Sequence, residues 1–212
     1  MNFKNTVIFG DSYSTFEGFI PEGYASHYFS VPKNETDVTR VEETWWHQLM
    51  KETDSNLILN NSWSGSTVCY TAYGGRDCSG DSSFIYRFEK LVREGFFEKN
   101  KIDTLFVFGT TNDSWCGAEL GALNFGEIHR EELYSVLPAI CYFFEKIKSS
   151  LNNTDVIVII NTELKDEISD GLSEAAKHFG FKTVKLSDID KISGHPTVLG
   201  MKQIKEQILK SL

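Results

Sequence analysis

Residues 6–12 read Thr6-Val7-Ile8-Phe9-Gly10-Asp11-Ser12, and this stretch decides the fold. Its first four residues are β-branched or aromatic, show no polar alternation, and stop at a glycine. A short continuous run of that kind suits a strand buried on both faces of a parallel sheet. The pattern returns at Leu57-Ile58-Leu59, at Thr104-Leu105-Phe106-Val107-Phe108, at Val156-Ile157-Val158-Ile159-Ile160 and, more weakly, at Lys182-Thr183-Val184. Between these runs the apolar spacing is helical, over 43–53, 83–93, 130–149, 164–179 and 198–212; in the last, Met201, Ile204, Ile208 and Leu212 form one stripe.

Alternating strands and helices imply right-handed crossovers and a parallel sheet covered on both faces. The expected fold class is therefore α/β, a three-layer α/β/α sandwich, with ligands bound beyond the carboxyl ends of the strands. One domain over residues 1–212 accounts for the length, since 41% apolar and 24% charged residues suit a single core.

The formal charge of −9, from 21 basic and 30 acidic residues, argues against nucleic acid as a partner, because phosphate binding needs clustered Lys and Arg. The opening MNFKNTVIFG holds only a short apolar run, and no later run approaches a spanning length, so a cytoplasmic protein with no membrane partner is expected. Cys69, Cys78, Cys116 and Cys141 lack zinc-site spacing and are too sparse for a disulfide scaffold. Free, mostly buried thiols are expected, although Cys69 and Cys78 share a Gly-rich loop in which they could meet as a disulfide or metal pair.

If ligands bind beyond the strand ends, the residues just after each strand carry the chemistry. Gly10-Asp11-Ser12 follows the first, which leaves the Ser12 hydroxyl pre-aimed at the crevice and its N–H available. Asp and Ser are also ordinary helix caps, so the tripeptide alone decides nothing. Gly80-Asp81-Ser82 repeats it without a preceding strand, and Ser82 is read as the cap of the next helix. Asn61-Ser62-Trp63-Ser64-Gly65-Ser66 follows the second strand, where Gly65 lets the backbone approach a substrate. Gly109-Thr110-Thr111-Asn112-Asp113 follows the third, and the Asn112 amide donates without carrying a charge. His195-Pro196 precedes the last helix; the other histidines, His27, His47, His129 and His178, are read as solvated or internally satisfied.

The joint order of Gly-Asp-Ser, Gly, Gly-x-x-Asn-Asp and His-Pro resembles the SGNH hydrolases, or GDSL-type esterases and lipases, over residues 7–208. The resemblance implies a flavodoxin-like SGNH hydrolase fold with a five-stranded parallel sheet, Ser12 as nucleophile and His195 as base. It also implies an oxyanion hole of the Ser12 and Gly65 N–H groups and the Asn112 side chain. No metal or organic cofactor is implied.

One departure concerns the acid that orients the histidine, usually three residues before it. Ile192 stands there. Asp190 could take the role, as could a backbone carbonyl near Ile192 or an acid elsewhere; a Ser-His dyad with a carbonyl acceptor is the favoured reading, with Asp190 kept as the candidate acid.

Two stretches, 19–42 and 60–82, carry little regular pattern, and long loops in a compact domain are more often functional than incidental. Asp11, Trp63, Tyr73 and Trp115 are expected at the substrate, where aromatic platforms suit a sugar ring or an apolar acyl group. A short acyl ester of a carbohydrate or small polyol is the expected substrate. A non-catalytic binder on this fold, and an acyltransferase or thioesterase with the same Ser-His chemistry, are the rival readings. A Rossmann nucleotide binder is disfavoured because neither G-x-G-x-x-G nor a P-loop occurs, and the G-x-S-x-G elbow of α/β-hydrolases is absent.

Overall fold

The computed structural model describes residues 2–212. In chain order the elements are β1 (Asn5–Gly10), α1 (Trp45–Glu52), β2 (Asn56–Ser62), α2 (Phe84–Arg93), α3 (Phe96–Lys99), β3 (Thr104–Phe108), α4 (Thr111–Trp115), α5 (Val136–Ser150), β4 (Asp155–Ile160), α6 (Asp166–Phe179), β5 (Lys182–Lys185), β6 (Lys191–Ile192), β7 (His195–Pro196) and α7 (Val198–Ser211). Strands β1 to β5 form one parallel sheet in the order β2-β1-β3-β4-β5. The chain thus steps from β1 to one side, then returns past it to build the other side, which opens a crevice at the carboxyl end of β1.

The two faces of each strand explain the continuous apolar runs. Val7, Phe9, Leu105, Val107, Val156 and Val158 pack against α2, α5 and α6. The intervening Ile8, Phe106, Phe108, Ile157 and Ile159 pack against Trp45 and Leu49 of α1 and Met201, Ile204 and Ile208 of α7. Both faces being covered, no polar alternation is tolerated in the central strands. Trp45 and Trp46 are both buried, and the ring of Phe19 from the long loop after β1 has its centroid 6.0 Å from that of Trp46.

Several local readings are corrected. The segment 130–149 is not one helix: a 3-10 stretch at Arg130–Tyr134 breaks before α5. Pro138 is the cause, because proline fits the first turn of a helix but not its interior, so the helix must begin just upstream of it. Ser82 does not cap α2; Ser83 does, its hydroxyl accepting from the Tyr86 N–H at 3.1 Å. Ser82 instead turns its hydroxyl to Asp81 and Arg76. The four cysteines are unbridged, and Cys78 donates its thiol to the Cys69 carbonyl at 3.4 Å. Helices α3 and α4 and the β6–β7 hairpin are too short to leave a periodic signal.

Arg87 of α2 is fully buried without a carboxylate partner. Its guanidinium donates instead to the carbonyl of Asn61, to Asn61 Oδ1 at 2.9 Å, to Gly10 O at 3.3 Å, to Ser66 Oγ at 3.1 Å and to Ser82 O at 2.9 Å. The ends of β1 and β2 and the loop between β2 and α2 are thereby tied to one point. Burial lowers its pKa to about 10, which leaves it a cation at neutral pH. Arg87→Met strands several buried carbonyls, so it is expected to cost about 3 kcal/mol or more in urea denaturation. A loss below about 1 kcal/mol would mean that these acceptors find other donors.

Candidate active site

The chain leaves β1 through Gly10, where a Cβ would meet Ser62 Oγ at 2.5 Å and Ser14 Cβ at 2.6 Å. Only glycine allows the strand end to approach its neighbours this closely. Asp11 then caps a single 3-10 turn, Ser12–Ser14, by accepting the Tyr13 N–H at 3.0 Å. The turn presents the Ser12 hydroxyl beyond the sheet edge.

His195 arrives on a hairpin. Strands β6 and β7 pair antiparallel with Ile192 opposite His195, and the two linking residues, Ser193 and Gly194, both have positive φ, at 49° and 78°. Two left-handed residues make the tight turn that matches the twist of a two-residue hairpin. This turn settles the geometry of the imidazole. His195 Nδ1 lies 3.1 Å from the Ser193 carbonyl, and Nε2 lies 3.0 Å from Ser12 Oγ. The carbonyl can only accept, so Nδ1 carries the proton and Nε2 offers its lone pair to the Ser12 hydroxyl.

Asp190, the candidate acid, is elsewhere. Its carboxylate accepts the hydroxyl of Thr197, which caps α7 by accepting the Gly200 N–H at 3.1 Å. The Asp190 carbonyl is pressed against Gly200, where a Cβ would stand 2.1 Å away. Asp190 is thus part of the anchorage of α7. The acceptor at the imidazole is the carbonyl of Ser193, next to Ile192.

The hairpin is held from below by hydroxyls. Tyr13 donates to the Gly194 carbonyl at 2.5 Å, and Tyr28 donates to the Pro196 carbonyl at 3.0 Å. Burial pulls the His195 pKa below the ordinary histidine value and Lys191 adds to this, while the bond to Ser193 opposes them. A neutral imidazole is the form a general base requires.

Ser12, Gly65 and Asn112 follow the carboxyl ends of β1, β2 and β3, and each carries a neutral donor. The N–H groups of Ser12 and Gly65 are bound by no acceptor among the described residues. Asn112, at the start of α4, donates one amide N–H to the Ser66 carbonyl at 2.9 Å and accepts the Tyr73 hydroxyl on Oδ1 at 3.0 Å. These two partners fix which way the amide points and leave its second N–H free. Asp113, beside it, is fully buried and accepts the N–H groups of Val68 and Cys69 at 2.9–3.0 Å, which moors the Gly65 loop to α4.

Of the residues expected at the substrate, Asp11 is wholly buried, its carboxylate accepting the Tyr13 N–H. Trp63 is half-buried with its ring 4.2 Å from that of Tyr24; Tyr73 and Trp115 are exposed, the latter lying over Gly194. Sequence reasoning did not single out Tyr13, Tyr28, Asp113 or Arg87, whose roles depend on distant partners, and it set His27 aside. Among the described residues no three His, Cys, Asp or Glu side chains cluster as a metal would require. No helix among them is long and apolar enough to cross a membrane.

Comparison with known proteins bears on this arrangement. Residues 4–212 match the family model for GDSL-like lipase/acylhydrolase. A GDSL-like lipase-family structure from Bacteroides uniformis is 42% identical, with a TM-score of 0.91 over 99% of this chain and 95% of that one. Its counterpart from Bacteroides ovatus is 40% identical, with a TM-score of 0.91 over 98% and 96%. At 16% identity the fold is shared with an acetyl xylan esterase from the rumen bacterium Butyrivibrio proteoclasticus, with a TM-score of 0.61 over 98% of this chain and 62% of that one. None of the curated proteins matches.

The buried Asp11 gives this site a pH signature. Desolvation raises its pKa to about 7, against the opposing Tyr13 N–H. Below about pH 4 the group is protonated folded or unfolded; between about 4 and 7 only the unfolded state releases the proton, so stability is lost as pH rises through that window. Asp11→Asn keeps the acceptor and removes the titration. Its Tm minus that of the wild type is expected to grow from pH 4 to pH 8, by the equivalent of roughly 4 kcal/mol. A gap independent of pH would show that Asp11 stays ionised.

Proposed function

The chain belongs to the GDSL-like lipase/acylhydrolase family of ester-bond hydrolases, and we propose that within it the protein is a serine esterase with Ser12 as nucleophile and His195 as base. The observation that carries this is the pair of contacts on one imidazole, Ser12 Oγ at 3.0 Å on Nε2 and the Ser193 carbonyl at 3.1 Å on Nδ1. A nucleophile, a base and a group orienting the base are then in hydrogen-bond order without a carboxylate.

His195 takes the Ser12 proton as Oγ attacks the ester carbonyl. The negative charge that develops on the carbonyl oxygen is received by the Ser12 and Gly65 N–H groups and the free Asn112 N–H, all neutral and preorganised. His195 returns the proton to the departing alcohol. Water then attacks the acyl group on Ser12, again giving its proton to His195, and the acid leaves as Ser12 recovers that proton.

The substrate we propose is a short acyl ester, such as acetyl, of a carbohydrate or small polyol. The exposed rings of Tyr73 and Trp115 and the half-buried Trp63 support it, since aromatic faces with polar tips suit sugar rings. The fold shared with an acetyl xylan esterase is in keeping with this choice.

Hydrolysis of p-nitrophenyl acetate tests the reading. Ser12→Ala and His195→Ala, each shown folded by circular dichroism, are expected to lower kcat/KM by at least about 10³. Asp190→Asn should stay within about threefold, because its partner is a helix cap. The acid limb of kcat/KM should have its midpoint below about 6.5, activity being lost as falling pH protonates His195. A folded wild type inert toward acetyl, butyryl and longer esters would refute the esterase.

A further inference from the structure

Residues 24–28, in the long loop after β1, join parts of the site that come from elsewhere in the chain. Tyr24 packs its ring on Trp63 at 4.2 Å, and the Ala25 carbonyl accepts the Ser64 N–H at 2.8 Å, next to Gly65. The His27 N–H donates to Thr15 Oγ1 at 2.9 Å, just past the turn that carries Ser12. The Tyr28 hydroxyl holds Pro196, next to His195. The side chain of His27 closes the set, its ring lying parallel to that of His195 with centroids 3.6 Å apart and planes 10° apart. His27 Nε2 is buried and has no partner among the described residues, so hydrogen bonding at that atom does not account for the ring being there.

An orienting carboxylate normally does two things for a catalytic histidine: it fixes the tautomer and it fixes the ring plane. The Ser193 carbonyl fixes the tautomer. A hydrogen bond at one ring atom leaves the plane free to swing about the Cβ–Cγ bond, a soft torsion with a broad minimum. A second ring in van der Waals contact with one whole face blocks that swing, because turning His195 would drive its edge into His27.

We propose that His27 is a positioning residue for His195: stacked face to face on the base, it holds the imidazole plane aimed at Ser12 Oγ and serves where Ile192 replaces the orienting acid. This rests on the reading of Ser12 and His195 as nucleophile and base. His27 must be neutral to do so, since a cation against this face would oppose the imidazolium that forms as Ser12 loses its proton. Burial, with His195 and Lys33 adding to it, holds the His27 pKa down to about 4. The groups facing the pair are Lys33 and Tyr28 at His27, and Ser12, Tyr13, Trp115 and Lys191 at His195, Lys191 being paired with Glu163 at 3.0 Å.

Two variants separate the stack from mere packing. His27→Phe keeps a planar ring without a titrating group, and His27→Ala removes the ring. With p-nitrophenyl acetate, His27→Ala is expected to lower kcat at least about tenfold with KM within about twofold, and His27→Phe to keep kcat within about threefold. In parallel, NMR titration of the His195 ring should show its pKa rising toward about 6.5 in His27→Ala and staying low in His27→Phe. Wild-type kcat in folded His27→Ala, or equal losses in both variants, would overturn the proposal while Ser12→Ala and His195→Ala still report on the esterase. Should the wild type hydrolyse no ester, the esterase reading falls, and an unchanged His195 titration in His27→Ala would sink this inference on its own.

Discussion

A buried cation with no carboxylate bonded to it organises this molecule. Arg87 reaches from α2 into the space beneath the crevice and there donates to Gly10, Asn61, Ser66 and Ser82. Burying a charge is costly unless its hydrogen bonds are met, and here they are met by backbone carbonyls, an amide oxygen and a hydroxyl. These are the groups that a strand end and a loop would otherwise leave unsatisfied in a dry interior. Because the guanidinium is flat and its donors diverge at fixed angles, satisfying them sets the relative position of the end of β1, which leads to Ser12, and the loop that holds Gly65. Asp113 completes the frame from the opposite direction by accepting N–H groups of the same loop.

On this frame the hairpin that carries His195 comes from the far end of the chain, and the groups that hold its turn and its imidazole are neutral. Two tyrosine hydroxyls bind its carbonyls, a backbone carbonyl binds the imidazole, and a second imidazole covers one face. A carbonyl dipole supports an imidazolium less well than a carboxylate, so in the proposed mechanism more of the stabilisation of the transition state would fall on the Ser12, Gly65 and Asn112 donors. That agrees with how well those donors are fixed, Asn112 above all, with Ser66 on one side of its amide and Tyr73 on the other.

Most of the architecture was legible in the chain. The strand runs at Thr6–Phe9, Thr104–Phe108 and Val156–Ile160 are apolar on both faces because both faces are covered, and such runs look the same in any context. The helix boundaries were less legible: Pro138 cut one predicted helix, and the cap of α2 fell on Ser83 instead of Ser82, since a cap is chosen by backbone geometry and not by residue type alone. The buried state of Asp11 could not be read either, because its sequence neighbours are those of an exposed turn.

What the sequence by itself determined is the fold class and the placing of the candidate site residues just after the strands, because hydrophobic period and the residues after each strand are local properties of the chain. Only the tertiary structure decided what orients His195. The Ser193 carbonyl faces the ring because Ser193 and Gly194 both take left-handed backbone angles in a two-residue turn, and Asp190 is diverted to the cap of α7. His27 reaches the same ring from a loop without periodicity, its place fixed by bonds to Thr15 and, through Tyr28, to Pro196. The contacts of Tyr28 with Pro196 and of His27 with His195 each join residues 168 positions apart, and nothing in the spacing of side chains along the chain encodes them.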